Sequence, residues 1–353
     1  MFNQHFSLSF SPHSTLLSGP DHTPPSKEIL NPITFTIPLI ASHIKHLKSS
    51  YIPGPEGISP NLLKHGGTDI PLLLMNLFNL SMKYGTVPDA WKLSVVIPRH
   101  KKGSRYTVEN YRPINHTSII LRIMERIVKS SLTNFLNTIQ FPFVNQHGFL
   151  NSRSCSTCHN DFFNHVTTSI DSGCALIVIY LDLMKAFDKV PHSLLLQKLK
   201  NIGFGQQLSD WFSSYFHGRS QVVKIGPCYS KHSPITSGVI QGSVIGPLLF
   251  LIYINDLFPS RFNGTPFLYA DDIKIVYSFR PPFSTDWLRV IQSDLNSLDA
   301  WCSKWHMQFT TSKCAVLSFG CSFPPNRLML HGSYIPLQSN VSNLLASNSA
   351  SHQ

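Results

Sequence analysis

Charged residues are scarce in this sequence. Asp, Glu, Lys and Arg make up 13% of its 353 residues, about half of the roughly 25% found in an average soluble domain. Acidic residues are the rarer kind, since 18 Asp and Glu stand against 29 Lys and Arg, a formal net charge of +11. This balance excludes an acidic, disordered chain and favours a polyanionic partner. The hydrophobic content, 42%, suffices for the core of one large domain or two smaller ones.

A long hydrophobic run is also missing. The longest, residues 244–254, includes Gly246 and Pro247, whereas a membrane-spanning helix needs about 20 apolar residues. The first fourteen residues contain no Lys or Arg, so they lack the basic segment of a secretory signal peptide. Seven cysteines, an odd number, predict free thiols rather than a disulfide framework. We therefore expect an intracellular protein, cytoplasmic or nuclear, that is neither secreted nor inserted in a membrane.

Composition divides the sequence near residue 50. Residues 1–50 are rich in His, Ser and Pro and show no sustained period, which predicts a poorly structured extension around one helix near residues 40–47. The next segment is rich in Gly and Pro and leads into two helices, the second of which ends at Gly85. A strand rich in β-branched residues is then predicted over residues 91–98, ending at Pro98.

The densest basic stretch follows this strand. Eight Lys and Arg lie within residues 99–129, against two Glu. Some of them fall on a helix predicted over residues 118–137, for which a solvated face is the ordinary interpretation. Others, including Lys101, Lys102 and Arg112, belong to a Gly-containing loop beside the strand. Cations in such a loop can converge on a phosphate, which is the alternative interpretation.

The second half of the sequence alternates buried strands with helices. Residues 174–181 form a continuous apolar run, as expected for a strand covered on both faces, and end in Asp182. Pro247 begins a helix that is apolar all round and therefore buried. The remaining predicted elements are helices at residues 193–201, 208–216 and 294–305 and strands at 221–225, 266–270, 273–277 and 315–319. This order predicts an α+β fold whose sheet has the split β-α-β arrangement of ferredoxin-like proteins, with helices on one face.

Three carboxylates lie at the ends of predicted strands. Asp182 follows the buried strand, and Asp271 and Asp272 form the tip of a hairpin. A single Asp in such a place usually caps its strand, but an adjacent pair repels unless a cation lies nearby. Because the first strand of a split β-α-β sheet lies beside this hairpin, the carboxylates can hold two divalent ions about 3.5–4 Å apart. Together with the positive charge of the chain, they predict a nucleotidyl transferase.

Three glycines recur at every fourth residue ahead of the buried helix, at positions 238, 242 and 246. Loop flexibility alone explains this spacing as well as a functional role does. The functional interpretation is that the glycines let a nucleic-acid backbone approach closely while Gln241 offers its amide to a base or sugar.

Several long motifs follow one another along residues 51–319. They are WKLSVVIPRHKKG with ENYRPI (Trp91–Ile114), QHGFLNSRS (Gln146–Ser154), YLDLMKAFDKVPHSLL (Tyr180–Leu195), SGVIQGSVIGPLLFLIYINDL (Ser237–Leu257) and FLYADDIKIV (Phe267–Val276). In this order they resemble the reverse transcriptase domain of non-LTR, LINE-type retrotransposons. The resemblance implies the fingers and palm of a right-hand polymerase. It also implies an RNA-directed DNA polymerase that adds dNTPs to a DNA primer on an RNA template, using two Mg²⁺ ions for which Mn²⁺ can substitute.

The resemblance assigns roles residue by residue. The catalytic positions it implies are Asp182, Asp271, Asp272 and Lys313, of which the three Asp bind metal and Lys313 protonates the pyrophosphate. The nucleotide-binding positions it implies are Lys101, Arg112, Phe187, Gln241 and Gly242. Among these, the two cations bind the triphosphate, and Gln241 and Gly242 contact the nucleotide and template. Phe187 is the steric gate that excludes a ribose 2′-hydroxyl, although a core Phe is the ordinary interpretation of this residue.

The sequence departs from the usual pattern of the family in two ways. Four motif positions differ, namely Glu56, Met184, Ile240 and Thr310, and none of them is a predicted metal ligand. In addition, no Asp, Glu, Lys or Arg follows Arg327, and no thumb is recognisable. We therefore expect fingers at residues 51–170, a palm at residues 171–337 and an unstructured, truncated tail at residues 338–353.

Two hypotheses about activity remain open. The intact Asp residues favour an active reverse transcriptase, whereas the uncharged tail favours a truncated, catalytically inactive remnant that only binds nucleic acid. Cys155, Cys158 and His159 fit the C-x-x-C-H pattern of haem attachment, but we expect no haem because that attachment belongs to exported proteins. A zinc site with His165 as fourth ligand lacks the second C-x-x-C pair of the common zinc motifs.

Overall fold

A computed structural model describes residues 1–11, 28–30, 32–280, 286–321 and 327–338, which form a mixed α+β fold, as predicted. The helices are α1 (Phe2–Ser7), α2 (Ile37–Lys45), α3 (Pro60–His65), α4 (Ile70–Lys83), α5 (Ile119–Thr138), α6 (Cys155–Asp171), α7 (Ala186–Lys189), α8 (His192–Ile202), α9 (Gln206–Phe216), α10 (Gly246–Ile254) and α11 (Asp286–Trp305). The strands are β1 (Leu93–His100), β2 (Tyr111–His116), β3 (Ala175–Asp182), β4 (Ser220–Ile225), β5 (Cys228–Tyr229), β6 (Ser233–Pro234), β7 (Thr265–Tyr269), β8 (Asp272–Phe279), β9 (Ala315–Phe319), β10 (Met329–Leu330) and β11 (Ser333–Tyr334). Over the described ranges, no helix has the length and apolar character required to cross a bilayer.

The chain folds into two compact units. The first consists of residues 1–142 and 187–253, and the second of residues 143–186 and 254–353. Residue 171, where the sequence analysis separates fingers from palm, falls inside the second unit, and that division remains a prediction. The predicted tail lies outside the described residues except for Gln338.

The sheet of the first unit has the strand order β2-β1-β4-β5, and β6 also pairs with β4. β1 is antiparallel to β2 and parallel to β4. β1 continues through Pro98 to His100, beyond the predicted end. Proline is tolerated there because β4 pairs only with residues 93–96 of β1, so Pro98 needs no hydrogen bond on that side, and it faces Pro113 of β2.

The segment before residue 51 is more regular than predicted, at residues 1–11 and 32–50. α1 packs on the first sheet, where Phe6 contacts Val96 and Val223. Phe35 and Ile40 are fully buried, and Asn79 of α4 hydrogen-bonds both the N–H and the C=O of Phe35. The helix predicted near residues 40–47 corresponds to α2, whereas the contacts of Phe6 and Phe35 join segments distant in sequence and leave no local pattern.

A carboxylate fixes the start of α5. Ser118 caps the helix, and Glu56 Oε1 accepts the N–H of Ile119 at 2.6 Å and the hydroxyl of Ser118 at 3.1 Å. A negative charge at a helix N-terminus is favourable because the first N–H groups have no partner within the helix. Glu56, one of the four positions that depart from the motif pattern, therefore has a structural role in this chain.

The main sheet of the second unit has the strand order β7-β8-β3-β9 and is antiparallel throughout. Strand β3 lies inside this sheet, and all of its residues before Asp182 are buried, as the apolar run predicts. α6 packs on the sheet through Cys158, Phe162 and Val166. α11 begins eight residues before the predicted start, at Asp286, and Asp294 lies buried inside the helix, where it accepts hydrogen bonds from residues 263, 264 and 277.

Candidate active site

Two of the predicted carboxylates lie opposite each other at one edge of the second sheet. β3 ends at Asp182 and β8 begins at Asp272, and these residues are Cα partners in the antiparallel pair. The side chain of Asp182 is 25% exposed, because it is the first residue of the buried strand to reach solvent. Asp271 lies in the two-residue turn between β7 and β8. The fold thus brings Asp182 and the Asp pair to the same end of two adjacent strands.

Lys313, the fourth predicted catalytic residue, pairs with Asp182. Its Nζ lies 2.8 Å from Asp182 Oδ2. Lys313 belongs to a 3₁₀ turn before β9, and the N–H of Thr310 donates to the carbonyl of Asp182 at 2.7 Å, which ties this turn to the end of β3. The Lys313 side chain is 65% exposed, and such an ion pair contributes only about 0–1 kcal/mol. The ion pair therefore adds little stability, and its main effect is to hold the Lys313 ammonium group beside the Asp182 carboxylate.

The chemistry of this sheet edge fits a hard divalent cation. Carboxylate oxygens are the ligands that Mg²⁺ and Mn²⁺ prefer, and facing carboxylates repel each other unless positive charge lies nearby. In the described part of the chain, however, no three His, Cys, Asp or Glu side chains are close enough together to hold a metal ion. The three Asp therefore have the ligand chemistry that a divalent cation requires and lie at the same end of two adjacent strands. In the described residues they do not form a complete coordination sphere.

The predicted steric gate, Phe187, lies in α7 of the first unit. Its ring stacks on that of Phe250 in α10, with centroids 4.4 Å apart and an angle of 21° between the planes. Phe187 is only partly buried, whereas Phe250 is fully buried. The neighbour therefore fixes the plane of the Phe187 ring and leaves part of that ring accessible.

The loop that carries Gln241 is bound to the segment that carries Phe187. Gln241 Nε2 donates to the Asp188 carboxylate. The N–H of Val239 donates to the carbonyl of Phe187 at 2.8 Å, and the hydroxyl of Ser237 donates to the carbonyl of Asp188 at 2.6 Å. Among the residues that the structure describes, none donates a hydrogen bond to the amide oxygen of Gln241, so this oxygen can accept one from a ligand.

Close backbone approach explains two of the regularly spaced glycines. Gly238 has φ +93°, and a Cβ there would lie 2.8 Å from the carbonyl oxygen of Phe187. Gly242 has φ +78°, and its Cβ would lie 2.4 Å from the carbonyl oxygen of Asn115 in β2. Any side chain at either position would collide with backbone. The glycines therefore join the Gln241 loop to its neighbours, which simple loop flexibility does not require.

The two predicted phosphate ligands lie on the β1–β2 hairpin of the first unit. Arg112 in β2 is the Cα partner of Arg99 in β1, and the N–H of Lys101, just past β1, donates to the carbonyl of Asn110 at 2.7 Å. Like charges directly opposite each other destabilise a strand pair. The facing Arg residues give this part of the hairpin a positive charge that favours an anionic ligand.

The sequence analysis missed a buried acid that supports the Gln241 loop. Glu125 of α5 is fully buried and accepts hydrogen bonds from the hydroxyl of Tyr215 at 2.6 Å and from the N–H of Val244 at 2.7 Å. Burial raises the pKa of the Glu125 carboxyl above its ordinary value, although these two bonds and the nearby Arg219 oppose the rise. Glu125 was visible in sequence only as an acid within a basic stretch.

Two further residues without a predicted role each contact a predicted site residue, or the turn that carries one, within their own unit. Asp188 holds the Gln241 amide, and Gln146 hydrogen-bonds the turn that carries Asp271. Both lie inside the motifs that carry the family resemblance. A motif, however, does not show which backbone its side chains contact.

The cysteine-rich segment at the start of α6 has ordinary structural contacts. Cys158 is buried, its thiol donates to the carbonyl of Leu268, and burial raises its pKa to about 11. His159 Nδ1 lies 2.8 Å from the carbonyl oxygen of Cys155, one turn earlier in the helix. Cys158 therefore serves in the core of the second unit.

Comparison with known proteins decides the family. The family model described as reverse transcriptase (RNA-dependent DNA polymerase) matches residues 99–342. The chain belongs to the reverse transcriptase family. This match includes the three Asp and all the nucleotide-binding positions predicted above.

Individual reverse transcriptases agree with this assignment. The chain is 27% identical to "Probable RNA-directed DNA polymerase from transposon BS" of Drosophila melanogaster over 78% of its own length and 31% of the relative. It is 26% identical to "RNA-directed DNA polymerase from mobile element jockey" of the same species over 82% of its length and 33% of the relative. The R2 retrotransposable element Pol polyprotein of Popillia japonica is 26% identical over 61% of this chain and 29% of the relative.

These relatives confirm the predicted resemblance to the reverse transcriptase domain of non-LTR, LINE-type retrotransposons. The chain spans about a third of the length of the curated relatives it matches. Among solved structures, apo telomerase from Candida Tropicalis truncated from its C-terminal domain aligns with 72% of this chain and 56% of its own, at 10% identity and a TM-score of 0.46.

Proposed function

We propose that this reverse transcriptase chain is an RNA-directed DNA polymerase that adds dNTPs to the 3′-hydroxyl of a DNA primer paired with an RNA template. The observation that carries the proposal is the pairing of Asp182 with Asp272 at the edge of an antiparallel sheet, with Asp271 beside them. This arrangement supports a divalent-metal site in a chain whose net charge of +11 suits a nucleic-acid substrate.

Asp182, Asp271 and Asp272 are the residues that would hold two divalent cations, Mg²⁺ or Mn²⁺. When bound, such ions lower the barrier of an in-line displacement by stabilising both the attacking and the leaving oxygen. The primer 3′-hydroxyl gives its proton to solvent and its oxygen bonds to the α-phosphorus, while the bond from the α-phosphorus to the oxygen that bridges to the β-phosphate breaks and pyrophosphate leaves. Lys313 gives a proton to the pyrophosphate. Its exposed ammonium group, now paired with Asp182, is at the right edge of the sheet for that transfer.

The nucleotide is selected and held by residues of the first unit. Arg112 and Lys101 bind its triphosphate, for which the facing cations of the β1–β2 hairpin provide a favourable charge. Phe187 excludes the ribose 2′-hydroxyl with a ring whose plane is set by Phe250. Gln241 and Gly242 contact the nucleotide and template, and Asp188 orients the Gln241 amide.

The proposal also assigns the parts of the fold to the palm and the fingers of a polymerase. The second sheet is the polymerase palm, since its strand order β7-β8-β3-β9 is that of a ferredoxin-like sheet. α11 connects β8 to β9, and the connection from β3 to β7 is a longer segment that contains α7 to α10 and β4 to β6. The β1–β2 hairpin and the helices beside it are part of the fingers.

Primer extension tests the proposed function directly. The purified chain is given a DNA primer on an RNA template, dNTPs and Mg²⁺ or Mn²⁺, beside the variants Asp271→Asn and Asp171→Asn. Asp171, an exposed residue at the end of α6, is the matched control. We expect extension by the wild-type chain and by Asp171→Asn. Asp271→Asn is expected to lose at least about 100-fold in rate, because even outer partners of metal ligands cost 10- to 100-fold.

The same experiment addresses the inactive alternative. If the wild-type chain binds primer and template without extending the primer under either metal, the chain is a nucleic-acid-binding remnant and the proposed activity is wrong. Equal rates for Asp271→Asn and the wild-type chain would show that the extension does not depend on this site.

A further inference from the structure

The turn that carries Asp271 has an unusual backbone. β7 ends at Tyr269 and β8 begins at Asp272, and these two residues are Cα partners, so only Ala270 and Asp271 connect the strands. Ala270 has φ +56°. Tight two-residue turns of this kind usually place Gly or Asn where φ is positive. Ala has no side-chain group that could stabilise the left-handed conformation, so neighbouring residues must hold the turn in place.

Gln146 provides this support from a segment distant in sequence. Its Oε1 accepts the N–H of Ala270 at 2.8 Å, and its Nε2 donates to the C=O of the same residue at 3.3 Å. The same Oε1 also accepts the N–H of Gly148 at 2.7 Å. Gln146 is only 4% exposed. One buried amide therefore pairs both polar groups of the backbone residue that precedes the two carboxylates.

The backbone around Gln146 is itself fixed against β7. The N–H of Leu268 donates to the carbonyl of Asn145 at 3.0 Å, and the N–H of His147 donates to the carbonyl of Leu268 at 2.8 Å. Arg153 donates to the carbonyl of Gln146. The Gln146 side chain therefore starts from a rigid base on the strand that leads into the turn.

Gly148 makes this approach possible. A Cβ at position 148 would lie only 2.4 Å from the nitrogen of Ala270, so the segment could not come this close with any other residue. Gly148 and Gln146 thus act together on one turn. These contacts give Gln146 and Gly148 of the QHGFLNSRS motif a structural role.

We propose that Gln146 is a positioning residue that holds the Ala270–Asp271 turn and thereby sets the direction in which Asp271 and Asp272 face a metal ion. The link to catalysis rests on the proposed function. The link to the turn rests on the hydrogen bonds alone.

Two variants separate the contacts of Gln146. Gln146→Met keeps the approximate length of the side chain and removes its three side-chain hydrogen bonds. Gln146→Glu keeps an acceptor for the N–H of Ala270 and loses the donor to its carbonyl. The matched control is Asn79→Leu in the first unit, because Asn79 brackets Phe35 in the same way, accepting its N–H at 3.1 Å and donating to its C=O at 2.9 Å.

Three measurements are compared: amide hydrogen exchange at residues 267–276, Mn²⁺ binding followed by electron paramagnetic resonance, and the primer-extension rate as a function of Mg²⁺ concentration. For Gln146→Met we expect at least about tenfold faster exchange at the turn, weaker Mn²⁺ binding, and a 10- to 100-fold lower rate that shifts to higher Mg²⁺, the range typical of residues that orient metal ligands. Gln146→Glu should fall between this variant and the wild-type chain. Asn79→Leu should lower the melting temperature and leave all three measurements unchanged.

Each outcome decides the proposal. Unchanged exchange at the turn in Gln146→Met overturns it, and so does faster exchange without any change in Mn²⁺ binding. If Gln146→Met shows no cooperative melting, Gln146→Glu is judged by the same criteria. If the wild-type chain does not extend a primer, the proposed function fails, whereas exchange and Mn²⁺ binding still decide the role of Gln146.

Discussion

The residues of the candidate site differ in how far the sequence alone could assign them. Asp182 and Asp272 were placed by strand pattern and motif, and the structure pairs them. Lys313, an ordinary exposed residue in sequence, lies on the Asp182 carboxylate. Gln146 had no predicted role, because its effect depends on a contact between segments 124 residues apart. Such contacts between distant segments leave no local signal in one sequence.

Phe187 gives a sharp test at the scale of one residue. We expect Phe187→Val to lower the preference for dNTPs over rNTPs by about 10- to 100-fold, because removing the ring opens space for a 2′-hydroxyl and a few apolar atoms are worth discrimination of that size. Single-nucleotide incorporation with dNTP and rNTP measures the ratio of the two specificity constants.

The control for this test is Phe163→Val, which removes an exposed Phe from α6. It should leave the ratio unchanged. If Phe187→Val also leaves the ratio unchanged, Phe187 is a packing partner of Phe250 and not the gate.

At the scale of elements, the sequence predicted strands and helices best where an apolar pattern was continuous. β3 was predicted within one residue at each end, since a strand that is buried on both faces has no polar interruption before its end. The end of β1 was wrong because the tolerance of Pro98 depends on which strand lies beside it. The predicted start of α11, at Asp294, was wrong because this Asp is a buried hydrogen-bond acceptor inside the helix.

The contact between α7 and the Gln241 loop predicts a large effect of one methyl group. Gly238→Ala places a Cβ 2.8–2.9 Å from backbone atoms of Phe187 and Asp188, at a φ of +93°. Because both strain and overpacking oppose it, we expect a loss of at least about 2 kcal/mol in the free energy of unfolding. Urea denaturation measures this loss.

The control variant Gly226→Ala separates backbone strain from overpacking. Gly226 also has positive φ, +57°, but no atom of the described residues lies within 4 Å of where its Cβ would stand. This control should lose only about 1–2 kcal/mol from backbone strain. Equal losses in the two variants would show that the loop moves away from α7 at no cost, contrary to the tight junction described here.

At the scale of the whole molecule, the structure shows that part of the positive charge of the chain lies on the β1–β2 hairpin. The net charge of +11 indicated only that a polyanion is a suitable partner. The structure places Arg99 opposite Arg112 and Lys101 at the end of the same strand pair, so it concentrates like charge where a phosphate backbone could neutralise it. The sequence could not show this, because strand register decides which cations face each other.

Salt dependence of binding tests whether the hairpin contacts phosphate. Each phosphate contact on a single strand contributes about 0.7 to the slope of log affinity against log salt concentration. We expect the triple variant Lys101→Gln, Lys102→Gln, Arg112→Gln to lower the slope for a labelled single-stranded RNA by about 2, and a control variant with Lys45→Gln, Lys48→Gln and Lys83→Gln to leave it almost unchanged. The control residues are exposed on the first unit, and both variants lose three positive charges. Equal slopes for the two variants would therefore mean that the chain attracts RNA by its overall charge and that the hairpin makes no specific phosphate contact.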